Sequence, residues 1–182
     1  MTSPRLAFED PTVVLLFAYP EAEDAFNAFG HAVLRGPSSL TPGERELIAA
    51  YVSARNGCGF CAAVHAATAR QLLGDRAAAV DDALADPNRL EPKLQVLVAV
   101  ADRIRANRSI DADVVARARD VGLDDRAVHD AVLVAATFSM VNRYIDGFGP
   151  APADPSLCGE IATRFAGGDG CAVPVVVGAN SF

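Results

Sequence analysis

The chain has 182 residues, and its 16 Lys and Arg face 23 Asp and Glu, giving a net charge of −7 and an isoelectric point near 4.9. That balance excludes a nucleic-acid partner, because phosphate binding needs a concentrated surplus of cations. A 51% hydrophobic composition excludes disorder over the whole length and suits one domain able to bury roughly 70% of its unfolded surface.

Apolar residues recur at three and four rather than two, so the expected fold class is all-α, a bundle of six or seven helices. A first helix is expected over about 21–35, with Glu21, Glu23 and Asp24 near its positive end and Gly36-Pro37 as its stop. The second is better marked: Thr41 suits the N-cap, Pro42 the first helical position, and Glu44 the third position of a capping box. It should end at Asn56-Gly57, where a left-handed cap is easy. A third helix then opens at Cys58 and runs to Leu73, stopped by Gly74. Further helices are expected over 75–85, 91–107, 111–121 and 124–146. After Gly147, Pro150, Pro152 and Pro155 and then Gly167, Gly168 and Gly170 suggest an extended tail over 150–182, with 173–177 packing it down. The domain division is therefore a helical unit, 1–149, and a Pro/Gly-rich tail.

The longest apolar stretches, 13–19 and 94–101, fall far short of the roughly 18 residues that span a bilayer. Glu9 and Asp10 precede the first of them where a signal peptide would be basic, so no membrane is expected and the location is read as cytoplasmic.

Four cysteines are too few for a disulfide-stapled scaffold, but two of them form C-G-F-C. Cys58, Cys61 and His65 are spaced i, i+3, i+7, and seven residues fall only about 20° short of two helical turns, so all three share a face. Cys61 and His65 are i, i+4 neighbours, which pairs a nucleophile with a base. The helix N-terminus favours thiolate, and the two sulfurs can reach each other within one turn. If the Asn56-Gly57 break folds the two helices into an antiparallel pair, Glu46 lies about 15 Å down one axis and His65 about 10.5 Å down the other. The difference is within side-chain reach, so Glu46 would orient the imidazole and stabilise its charged form. Phe60 would keep the surroundings apolar, and Tyr51 and Ser53 are candidates for polar contacts nearby.

Other readings are weaker. Cys58, Cys61 and His65 with Cys158 or Cys171 could ligate zinc, but structural zinc usually ties irregular loops, whereas both cysteines here open a long helix; no metal or other cofactor is expected. Glu44 is a capping residue, and His31 and His129 lack a cysteine or acidic cluster at helical spacing. Cys158 and Cys171 are read as buried or idle thiols in preference to a tail disulfide.

The segments T-P-G-E-R-E-L-I and N-G-C-G-F-C, with His65 four residues on, resemble the alkylhydroperoxidase D-like, carboxymuconolactone decarboxylase-related family. The stretch 112–149, with A-R-D-V-G-L-D, D-A-V-L-V-A-A and V-N-R-Y-I-D-G-F-G, is similar to its peroxidase-related branch. The resemblance implies an all-helical homo-oligomer (dimer, trimer or hexamer) and a thiol-dependent peroxidase. Glu46, Cys58, Cys61 and His65 would be its catalytic residues. By that match, hydroperoxide oxidises Cys61 to a sulfenic acid, Cys58 resolves it, and a dithiol, lipoyl or thioredoxin-type reductant closes the cycle. Phe60 stands where the best-known members carry a second histidine. Two other functions stay open: a dithiol–disulfide adaptor serving a partner peroxidase, and a non-redox enzyme like the lactone decarboxylases.

Overall fold

A computed structural model of the chain describes residues 20–147 and 154–167. Among them lie eight α-helices and no strand: α1 (Pro20–Arg35), α2 (Pro42–Asn56), α3 (Gly59–Leu73), α4 (Ala78–Ala85), α5 (Pro92–Arg105), α6 (Ala112–Asp120), α7 (Asp125–Gly147) and α8 (Pro155–Ala166). The all-α reading holds. No helix among the described residues is long and apolar enough to cross a membrane.

Helix α2 is the centre of the molecule, with every residue from Gly43 to Ser53 buried. Its entry is the capping box read from the sequence: Thr41 Oγ1 accepts the Glu44 N–H at 3.2 Å, and Glu44 Oε2 accepts the Thr41 N–H at 2.9 Å. Glu44 Oε1 also receives Lys93 Nζ from α5 at 2.6 Å. The exit is equally specific. Gly57 adopts φ 82°, a left-handed conformation that glycine takes without steric cost, and the Cys58 N–H closes back onto the Ser53 carbonyl at 3.0 Å. This turn sends α3 back along α2, and the two pack closely: a Cβ on Gly43 would meet the Leu73 side chain at 3.0 Å.

The remaining helices enclose this pair. Leu94, Leu97, Val100 and Ala101 of α5 and Ala131, Val134, Ala135 and Phe138 of α7 join Leu47, Ile48 and Val52 of α2 in one core. Most of the stretch 94–101 is therefore core. Asp111 caps α6 through the Val114 N–H at 3.0 Å, and Asp124 caps α7 through the Ala127 N–H at 2.7 Å.

Two expectations are corrected. The helix read over 75–85 begins as a 3₁₀ turn, Gly74–Arg76, because Gly74 takes φ 55° and breaks the α pattern before α4. The other departure is in the tail, where residues 155–166 form α8 and not extended chain. Asp154 accepts the N–H groups of Ser156 and Leu157, Pro155 occupies the first turn, and Cys158, Ile161, Ala162 and Phe165 make a buried stripe. That stripe lies on Val64 of α3, beside Phe60 and Ala63. The apolar stretch 13–19, the segment 173–177 and Cys171 lie outside the described residues.

Candidate active site

The Gly57 turn places Cys58 as the residue preceding α3 and Cys61 in its first turn. Both are free thiols, and both are withdrawn from water, at 0% and 3% exposure. Ile145 of α7 is buried against the pair, with Phe60 and Val141 packed alongside. Phe60 thus does the apolar work expected of it.

One turn further along α3, His65 is 7% exposed, and its Nδ1 lies 2.6 Å from Glu46 Oε2. The antiparallel α2–α3 pair therefore brings together all four residues that the spacing singled out. Glu46 is fully buried, and its second oxygen, Oε1, accepts Arg35 Nη2 from the end of α1 at 2.5 Å. Burial by itself would push its carboxyl up. The charge and hydrogen bond of His65, and then those of Arg35, outweigh burial and hold it below the ordinary carboxylate range. An ionised carboxylate can only accept, so Nδ1 carries the hydrogen and Nε2 is the ring nitrogen left for proton exchange. The ring is fixed edge-on against Phe138, with centroids 4.4 Å apart, and faces Phe165 of α8 at 6.0 Å.

The two thiols differ sharply. Cys61 is held below the ordinary thiol range, first by the hydrogen bond from Cys58, then against the cost of burial by the charge of His65 and a hydrogen bond from Asn142. Cys58 is pushed far above that range by the same bond to Cys61, by burial, by the Cys61 charge and by a hydrogen bond with Asp146. Of the two thiols, Cys58 therefore keeps its proton the more firmly, and Cys61, beside the imidazole, is the one that ionises the more readily. Glu46 is thus buried with Arg35 on one oxygen and the imidazole on the other, so both carboxylate oxygens are paired, which is the condition for keeping an ion in an interior.

Several participants carried no mark in the sequence reading. Arg35 was only the end of the first helix, yet it ties Glu46 to the Phe165 carbonyl, 3.1 Å from Nη2. Asn142 is fully buried; it accepts Asn56 Nδ2 at 3.0 Å and donates to Ser53 Oγ at 3.0 Å. Ser53 therefore contributes as anticipated, through Asn142. Tyr51 does not: its hydroxyl turns to Asp102 on α5 at 3.4 Å. Among the other candidates, His31 is exposed. His129 is also exposed and pairs with Asp130. Cys158 is a buried free thiol, pushed up by burial and by Asp154. Among the described residues no group of three His, Cys, Asp or Glu side chains is arranged to hold a metal ion.

Residues 20–77 match the carboxymuconolactone decarboxylase family. No curated protein matches the chain. Among solved structures, an uncharacterised peroxidase-related protein from Silicibacter sp. TM1040 superposes with a TM-score of 0.68 at 30% identity, over 76% of this chain and 75% of its own. A second, the alkylhydroperoxidase AhpD core of an uncharacterised peroxidase-related protein from Ralstonia eutropha JMP134, shares the fold with a TM-score of 0.72 at 24% identity, over 81% of this chain and 78% of its own. With the α2–α3 pair inside the matched family segment and the likeness running through most of the bundle, the chain belongs to the carboxymuconolactone decarboxylase family, in its alkylhydroperoxidase D-like, peroxidase-related branch.

Proposed function

We propose that the chain is a thiol-dependent hydroperoxidase. The observation that carries this reading is the buried Glu46–His65 contact of 2.6 Å, one turn along α3 from Cys61, whose thiol is held below the ordinary range. His65 Nε2 takes the Cys61 proton, and the thiolate attacks the terminal oxygen of a hydroperoxide. The O–O bond breaks, Cys61 becomes a sulfenic acid, and the alkoxide leaves as alcohol with the proton from His65. Glu46 stabilises the imidazolium between those transfers. Cys58 then condenses with the sulfenic acid, releasing water, and a dithiol of lipoyl or thioredoxin type reduces the disulfide by exchange. The active assembly is a homo-oligomer. Burial of both sulfurs favours a small peroxide, and not a protein, as the first reactant.

The test is turnover of t-butyl hydroperoxide by the purified chain with a small dithiol. The Cys61→Ser variant is expected to lose at least about 10³-fold, because Cys61 is the thiol one turn from the His65 base and Cys58 keeps its proton the more firmly. Full activity in that variant, or activity only when a second protein is added, would overturn the reading.

A further inference from the structure

The V-N-R-Y-I-D-G segment belongs to the last turns of α7 and is not used by the Glu46–His65–Cys61 chain. Its inner face lies on the cysteines. Val141 and Ile145 pack against the pair, Asn142 is fixed between Asn56 and Ser53, and Asp146 follows Ile145 at the exposed rim, one turn beyond Asn142 on the same face. His65 cannot serve that cysteine well. Its nitrogen is anchored toward Glu46, and seven residues of helix separate the two positions, about 10.5 Å of axial rise. Cys61 lies between them. The couple therefore has a base on the Cys61 side and, without α7, none on the Cys58 side.

We propose that Asp146 is a second catalytic base, which removes the Cys58 proton when that thiol attacks oxidised Cys61, while Asn142 positions Cys61 to receive the attack. The idea rests on the peroxidase reading for its oxidant but not for its chemistry, since any Cys61 adduct that Cys58 displaces needs the same proton removed. In the peroxide cycle the Cys58 proton passes to Asp146, and the Cys58 sulfur electron pair forms the S–S bond. The Cys61 S–O bond breaks, and the departing hydroxide takes a proton from solvent, which exposed Asp146 gives back. The sum is thiol plus sulfenic acid to disulfide plus water, with the hydroperoxide as oxidant. Asp146 lies one helical turn beyond Asn142 on the same face of α7, the face that meets the α2–α3 turn where Cys58 sits, and this placement gives the proton its route.

The experiment follows the second step alone, with two different first reactants. One equivalent of cumene hydroperoxide converts Cys61 to sulfenic acid, and one equivalent of methyl methanethiosulfonate converts it to a mixed disulfide. Quenched-flow mass spectrometry then follows the decay of each adduct to the Cys58–Cys61 disulfide. In Asp146→Asn both adducts should live about 10²-fold longer, with their formation within about threefold of wild type, and Asp146→Glu should recover most of the loss. Unchanged adduct formation also shows that the variant is folded. An Asp146→Asn lifetime equal to wild type in the thiosulfonate arm would overturn the proposal. If peroxide yields no sulfenic acid even in the wild type, while the thiosulfonate arm shows the delay, Asp146 keeps its role and the peroxidase reading falls.

Discussion

Glu44 and Glu46 stand two residues apart on α2, both shut away from water at 1% and 0% exposure, and they are engaged in different work. Glu44 sits at the mouth of the helix, where one oxygen takes the Thr41 N–H and the other takes Lys93, with Arg76 3.8 Å away. Glu46 sits a half-turn deeper, between Arg35 and the imidazole. Burial does not distinguish a working carboxylate from a structural one, because both are fully satisfied. What differs is the partner: Glu44 is held by a backbone N–H, a lysine and an arginine, whereas Glu46 is held by an arginine and by a ring that can pass a proton on.

The sharpest way to break that comparison is to neutralise each in turn. Glu46→Gln should slow peroxide turnover by about 10²–10³-fold, the scale of one positioned proton transfer, and raise the pH at which iodoacetamide labels Cys61, since a less stabilised imidazolium no longer favours the thiolate. It should also cost about 3–5 kcal/mol of stability, because Arg35 loses the buried anion it is paired with and His65 loses its acceptor. A carboxyl whose folded pKa lies below its unfolded value stabilises the fold fully above the unfolded value, about 4.3, and that contribution fades as pH falls through the folded one. Denaturation followed from pH 7 into the acid should therefore show a falling limb in wild type that is reduced in Glu46→Gln. Glu44→Gln should cost about 1–2 kcal/mol and leave turnover within about threefold. Equal losses of activity in the two variants would dissolve the distinction between them.

Much of this was legible in the residues. The capping box, the Asn56-Gly57 stop and the spacing of Cys58, Cys61 and His65 are local signals, and axial arithmetic along two helices joined by a tight turn put Glu46 opposite His65. Contacts between distant segments were not legible. Arg35 reaches Glu46 only through the crossing of α1 over α2, and Asn142 and Asp146 reach the thiols only through the packing of α7; no short-range pattern encodes either. The missed helix α8 is a different failure. Asp154-Pro155 is an N-terminal helix signal, and Cys158, Ile161, Ala162 and Phe165 fall at i, i+3, i+4 and i+7, but the prolines and glycines around them are equally the signature of extended chain.

Helix α8 bears on the same comparison, because it seals the Glu46 side of the molecule and not the Glu44 side. Phe165 faces the His65 ring, and its carbonyl receives Arg35. Phe165→Ala should remove about 3 kcal/mol, at the low end for a buried phenylalanine since α8 lies at the edge of the bundle. Local opening of α8 should then raise amide exchange over 155–166 and speed maleimide labelling of Cys158 by tenfold or more, with α5 exchange unchanged. Uniform acceleration across all helices would mean instead that α8 opens only with the whole fold.

The smallest effect expected is at the turn that sets Glu46 against His65. Gly57 has φ 82°, and a Cβ there would meet nothing within 4 Å, so Gly57→Ala suffers from backbone conformation alone, about 1 kcal/mol. The hydrogen bond from the Cys58 N–H to the Ser53 carbonyl and the burial of Cys58 both hold the chain in the same turn. Strain of that size is too small to reverse them. The variant should unfold at lower denaturant while its Cys61 labelling profile and peroxide turnover stay within about twofold of wild type, placing Gly57 with Glu44 among the residues that support the site without entering its proton chain. A shifted labelling profile at unchanged fold would show that the α2–α3 register is held by this one glycine and not by the packing of the two helices.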